Sequence, residues 1–386
     1  MLLTEIQRAL RDAQLDGWLF YDHHERDPLA YRILGFRPAR HVTRRWYYLI
    51  PASGEPRGLV HRIEPNMLDE LPGVKTCYAS WTLQLEGLRA LLTGSRRVAM
   101  QYSPNNAVPY VSMVDAGTVE LVRSLGVEVA TSADLIQHFE ARWSEAQLES
   151  HLEAGRRVDR VRRAAFDEIA RLGSPNEWEI KNFILDSFDR SGLFTDHGPI
   201  VGVNENAANP HYEPSGEIHA PIRKGDVVLL DMWAKLAHVP NAVYYDITWT
   251  GFHGVEPPGE VVNVFNIVRD ARDAAIEFVK SHRDAAGWQV DDAARAHIHA
   301  HGYGDYFVHR TGHSIGEDVH GSGANMDNLE SHDERRLIPR TCFSIEPGIY
   351  LPKFGIRSEV NMYVSETDAR VTGEIQTRLV KCGASF

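Results

Sequence analysis

Two aspartates, Asp231 and Asp246, each fall in a strand-like apolar run, Gly225–Asp231 and Val243–Trp249, and Pro240-Asn241 between the runs is a turn signal. Pairing 231–236 with 241–246 around a four-residue loop is expected to set the two carboxylates directly opposite on one sheet face. Carboxylates so placed repel, and a shared divalent cation is the usual resolution. Thr248, two residues beyond Asp246, falls on the same face, where its hydroxyl can support a metal-bound carboxylate. Two unrelated strand-end aspartates are the plainer alternative.

His309, His313 and His320 crowd a glycine-containing segment, and imidazole serves both as metal ligand and as proton carrier near neutral pH. Glu346 ends the apolar run Phe343-Ser-Ile, and Glu359 follows Gly355-Ile-Arg357-Ser, places where an unpaired carboxylate is costly to bury. An ion pair, Glu359 with Arg357 for instance, is the competing reading. Asp231, Asp246, Glu346, Glu359 and His313 together make an oxygen-rich set with one nitrogen. Two divalent ions would cancel its four negative charges; such donors suit Mn²⁺, with Co²⁺, Zn²⁺ or Fe²⁺ also able to bind.

The elements that must position these residues follow from periodicity. An amphipathic helix from Ile6 to about Leu15 precedes strands at 17–21, 46–50, 58–60, 98–100 and 127–129, with helices at 83–92 and 114–125, a smaller α/β domain over residues 1–140. Ser144 with Gln147 has capping-box spacing and opens a helix to about Leu172, and Pro175 suits the first position of the next. Two further helices, 261–283 and 290–301, and strands at 341–345, 355–362 and 377–380 complete an α+β domain over 144–386, its antiparallel sheet carrying most candidate ligands.

With 386 residues the chain suits two domains. Its net charge of −12 argues against a nucleic-acid partner, and the basic run Arg156–Arg163 reads as a solvated helix face. Three widely spaced cysteines support neither a disulfide framework nor a zinc ribbon, and the N-terminus shows no signal peptide or spanning helix, so a cytoplasmic protein with no membrane partner is expected.

The segments Val203-Asn-Glu-Asn-Ala-Ala-Asn-Pro-His211-Tyr, Phe307-Val-His-Arg-Thr-Gly-His-Ser-Ile-Gly and Ser344-Ile-Glu-Pro-Gly-Ile-Tyr350 resemble the Xaa-Pro peptidase family, the prolidases and proline aminopeptidases of pita-bread fold, over about residues 144–386. The resemblance implies a pita-bread domain holding two divalent metals per subunit: Asp231 on one, His313 and Glu346 on the other, Asp246 and Glu359 bridging both. It further implies a metal-bridging hydroxide as nucleophile and Glu346 as the proton acceptor. His320 would act on the substrate carbonyl or the proline nitrogen, His211 on the tetrahedral intermediate, and His309 at the proline pocket. A homodimer acting on small proline-containing peptides is expected, an Xaa-Pro dipeptidase first, with an Xaa-Pro aminopeptidase or a non-peptide hydrolase or lyase on the same fold as alternatives. A dipeptidase needs a cation for the substrate's terminal carboxylate; Arg310, Arg357 and Arg370 are candidates, or Arg44 and Arg45 reaching from a second subunit. The family's usual aspartate spacing is shorter by four residues, its second metal carboxylate strand usually reads Arg-Ile-Glu-Asp where this chain has Arg357-Ser-Glu359-Val, and Trp233 and Gly321 replace a glycine and a glutamate.

Overall fold

The computed structural model describes residues 3–36 and 41–382. The chain divides into two compact units, Met1–Glu140 and Ala141–Phe386.

In the first unit α1 (Leu3–Asp12) precedes β1 (Gly17–Asp22), α2 (Pro28–Leu34), β2 (Trp46–Pro51), β3 (Arg57–His61), β4 (Val74–Tyr78), α3 (Trp81–Leu91), β5 (Arg97–Met100), α4 (Ala116–Ser124), β6 (Glu128–Thr131) and the short α5 (Ala133–Ile136). The sheet order is β4-β3-β2-β1-β5-β6. Only β2 runs against its neighbours. β1 and β2 are apolar along nearly their whole length, and the sheet buries one cluster around Trp18, Phe20 and Trp46 and another around Leu19, Tyr47 and Val98. Strand β4 has no counterpart in the sequence reading; it is mostly exposed and carries Lys75 and Thr76, so it lacks the apolar run that marks a buried strand. Asp27 caps α2, accepting from Ala30 N at 2.9 Å, and Gly35 closes that helix in the left-handed region.

In the second unit the long α6 (Glu145–Leu172) starts at a complete capping box, Ser144 with Gln147. α7 (Glu177–Arg190) starts at another, Asn176 with Glu179, so Pro175 precedes the cap and does not occupy the first turn. Then come β7 (Leu193–Phe194), β8 (Ile200–Val203), β9 (Val227–Leu236), β10 (Tyr245–His253), α8 (Gly259–Ser281), α9 (Gly287–Ala300), β11 (Ser314–Ile315), β12 (Thr341–Ile345), β13 (Gly348–Leu351), β14 (Phe354–Arg357), β15 (Val360–Val364), β16 (Ala369–Thr372) and β17 (Val380–Cys382). One sheet runs β17-β10-β9-β7, with β8 also on β9; a second runs β11-β12-β15-β16; β13 and β14 form a hairpin. α6 and α7 cover the first sheet, burying Val158, Phe166 and Ile184 against Leu230, Met232 and Ile247. α8 and α9 close a second core with Phe343, Ile345, Val360 and Met362.

The expected single strand at 355–362 is two: β14 pairs with β13 and β15 with β12, the chain breaking at Ser358-Glu359. The basic run on α6 is also not wholly solvated. Arg162 is 2% exposed and lies 3.3 Å from the Trp249 ring centroid, while Arg156 and Arg157 pair with Glu153. The cysteines Cys77, Cys342 and Cys382 are free. Among the described residues no helix is long and apolar enough to cross a membrane.

Candidate metal centre

β9 and β10 pair antiparallel, but Asp231 stands opposite Thr248 and Asp246 opposite Trp233. The carboxylates are therefore diagonal neighbours, displaced by two positions from the direct opposition expected. An even displacement keeps both on one sheet face, because side chains alternate with a period of two. The connection is correspondingly longer, residues 237–244, and includes Asn241 at φ 56°.

The other candidates come from the second sheet and its approaches. His313 lies just before β11; its N–H donates to Ser344 Oγ at 2.9 Å, and Ser344 Oγ donates to Glu346 Oε1 at 2.9 Å. One hydroxyl thus orients both residues. Gly312 permits this approach, since a Cβ there would fall 1.9 Å from the Ser344 carbonyl oxygen. Glu359 sits in the break between β14 and β15, where its N–H donates to Thr248 O and its Oε2 accepts from Thr248 Oγ1 at 2.8 Å. Asn361 fixes the backbone of Asp246 in both directions, accepting from its N–H and donating to its carbonyl.

Asp246, His313 and Glu359, all buried, each bring a ligand atom within 4.8 Å of the others. His313 Nε2 lies 3.5 Å from Asp246 Oδ2 and 3.4 Å from Glu346 Oε1. Asp231 faces the same cluster but is held by the Arg357 guanidinium, which also donates to Thr248 Oγ1 and, at 3.2 Å, to the Tyr350 hydroxyl. His309 Nε2 meets that same hydroxyl at 2.6 Å. Tyr350, Ser344 and Asn361 are site residues that the sequence reading left without roles; their only local signal was proximity to Glu346 and Glu359. His320 stacks edge-on against His313 with ring centroids 4.3 Å apart, and is otherwise exposed. His211 lies exposed on the loop after β8, its N–H donating to Asn209 Oδ1. That loop is tied down by buried Glu177, which accepts from Val203 N, Asn206 Nδ2, Tyr212 OH and Ala220 N.

Electrostatics mark the cluster as short of positive charge. Burial first, and neighbouring carboxylates second, push Asp246 and Glu359 well above the usual carboxylate range and Asp231 up to about 7 against the opposing pull of Arg357. Burial also acts on Glu346, but His313, Arg357 and His309 outweigh it and hold this carboxyl low. Among the described residues Asp246 Oδ1 and Glu359 Oε1 are buried with no hydrogen-bond partner. Native interiors seldom leave such acceptors unmet. Two unmet carboxylate oxygens beside an imidazole nitrogen, with no thiolate, are donors that fit a divalent cation.

A model of metallopeptidase family M24 matches residues 149–366. The chain belongs to that family. Its second unit has the family's pita-bread fold, and it is a metallopeptidase. Among M24 relatives, a probable dipeptidase PepE of Mycobacterium bovis is 29% identical over 368 residues, covering 94% of this chain and 90% of that protein. An Xaa-Pro dipeptidase of Lactobacillus delbrueckii subsp. lactis is 31% identical over 59% of this chain and 58% of its own length. The crystal structure of dipeptidase PepE from Mycobacterium ulcerans superposes with a TM-score of 0.75 at 24% identity, covering 98% of this chain and 96% of that one.

Proposed function

We propose that this M24 peptidase is an Xaa-Pro dipeptidase that hydrolyses the bond before a C-terminal proline and uses two divalent cations, Mn²⁺ by preference. The observation carrying the metal assignment is the pair of unmet buried oxygens, Asp246 Oδ1 and Glu359 Oε1, next to His313. The similarity to an Xaa-Pro dipeptidase supports the substrate class.

Asp231 would hold one cation, His313 and Glu346 the other, and Asp246 and Glu359 would serve both. When bound, the cations supply Lewis-acid activation of a water and of the scissile carbonyl. Glu346, whose carboxyl the Arg357 guanidinium helps hold low, would accept the proton of the attacking water and return it to the departing amine. His320, beside His313, acts at the substrate carbonyl or the proline nitrogen, and His211 answers charge developing on the carbonyl oxygen. His309, fixed by Tyr350, borders the proline pocket. Arg357 neutralises Asp231 and, of the arginines near the cluster, is the candidate for the substrate's terminal carboxylate. A cytoplasmic homodimer completes the proposal.

The test is hydrolysis of Ala-Pro, Ala-Pro-Ala and Ala-Ala by metal-stripped protein, with and without Mn²⁺. Mn²⁺-dependent cleavage of Ala-Pro alone is expected. Comparable cleavage of Ala-Pro-Ala would replace the dipeptidase with an aminopeptidase, and cleavage of none would defeat the peptide assignment.

A further inference from the structure

Arg272 on α8 is fully buried. A guanidinium taken out of water is costly unless its donors meet acceptors. Nε and Nη2 donate to Asp273 Oδ1 at 2.9 and 2.7 Å, on a half-exposed carboxylate. Nη1 serves two buried partners instead, donating to Ser358 Oγ at 2.6 Å and to Gln376 O at 2.8 Å.

Both of these acceptors lead to Glu359. Ser358 lies in the break between β14 and β15, directly between Arg357 and Glu359. Gln376 clamps Thr250 of β10, accepting from its N–H at 3.0 Å and donating to its carbonyl at 2.6 Å, and Thr250 Oγ1 donates to Arg357 O at 2.8 Å. Glu359 N in turn donates to Thr248 O at 3.0 Å. Neither Ser358 nor Glu359 belongs to a strand ladder, so tertiary hydrogen bonds decide where this carboxylate points. Successive residues of an extended segment face opposite sides, so anchoring the Ser358 side chain on α8 turns Glu359 the other way, toward Thr248 Oγ1, Asp246 and His313. Ser358 also stands where the resembling family usually has isoleucine, a side chain that would offer Nη1 no acceptor. Arg272 and Ser358 are thus a matched pair.

We infer that Arg272 is a positioning residue of the metal centre: through Ser358 and Gln376 it fixes the break between β14 and β15 and so the direction of Glu359. The inference rests on the reading of Glu359 as a metal ligand. Mn²⁺ affinity of the full chain, measured by chelator competition in wild type and in variants that keep its circular dichroism spectrum, tests both. Ser358→Ala removes only the acceptor and should weaken Mn²⁺ binding by about 10–100-fold, the scale of a lost partner behind a metal ligand. Arg272→Met should weaken it at least as much, and Arg272→Lys, which keeps a charge and a donor, should recover part of the loss. Ile276→Val shortens a core side chain of the same helix; it should lower the unfolding midpoint and leave Mn²⁺ affinity unchanged, which separates the aim of Glu359 from a general loosening of α8. Glu359→Gln should weaken binding most. If Glu359→Gln is weakened while Ser358→Ala and Arg272→Met bind as wild type does, Glu359 is a ligand that Arg272 does not position, and the inference is overturned. Equal weakening in Ile276→Val overturns it too. Wild-type affinity in Glu359→Gln defeats the ligand reading and the positioning role with it. Should Arg272→Met fail to fold, Ser358→Ala decides by itself.

Discussion

In the second unit Asp231, Asp246, Glu346 and Glu359 converge around the Arg357 guanidinium and the His313 imidazole, whereas the carboxyl edge of the first unit gathers Arg26, Arg44 and Arg45 around Asp115. The acidic cluster is buried and, among the described residues, leaves two oxygens without a hydrogen-bond partner, whereas the basic cleft is open. Burial sets the difference in consequence. An unmatched charge inside the fold raises carboxyl pKa values and weakens the apo protein, while one in an open cleft stays solvated at little cost. Like charge is thus gathered in both regions, at a higher cost where it is buried.

The largest effect expected on the acidic side comes from Glu346→Gln, which should keep the fold and reduce turnover by about 10²–10⁴-fold, the scale of a lost general base. A near wild-type kcat with an unchanged circular dichroism spectrum would show that Glu346 moves no proton. Thr248→Val removes the hydroxyl shared by Glu359 and Arg357, and metal affinity should fall by about 10–100-fold. Unaltered affinity in a competition titration with a chelator would mean that Thr248 orients nothing.

The first unit has one acid that behaves as the metal cluster does. Burial raises Asp27 from 3.8 to about 7, more than the Ala30 N–H lowers it, and its Oδ2 is unmet. A raised carboxyl pKa gives stability that is complete below the unfolded value and erodes as pH climbs from 3.8 to about 7, where only the folded chain keeps the proton. Asp27→Asn keeps an acceptor for the α2 cap and cannot ionise. It should match wild type near pH 4 and exceed it by about 1–3 kcal/mol at pH 8 in denaturant unfolding. A constant difference across that range would discard the titration account. The smallest effect concerns local structure alone: Ser144→Ala should cost about 1 kcal/mol through the lost α6 cap, without changing metal content. Loss of metal in that variant would tie the cap to the site.

The sequence carried whatever local pattern decides. Short apolar runs placed Asp231 and Asp246 on strands, and the spacing of Ser144 and Gln147 located the start of α6. The same patterning marked Glu346 as a strand-end acid, and the parity of side chains kept both aspartates on one face even though the pairing moved by two. Register itself was beyond the sequence because it rests on how the 237–244 connection turns and on which neighbours each strand meets. For the same reason the pattern could not show that the 355–362 run breaks to release Glu359, that Arg357 turns onto Asp231, or that Arg26 and Arg45 meet at one sheet edge. Those arrangements join side chains far apart in the chain, and their energies depend on distance and burial, which only the assembled tertiary structure supplies.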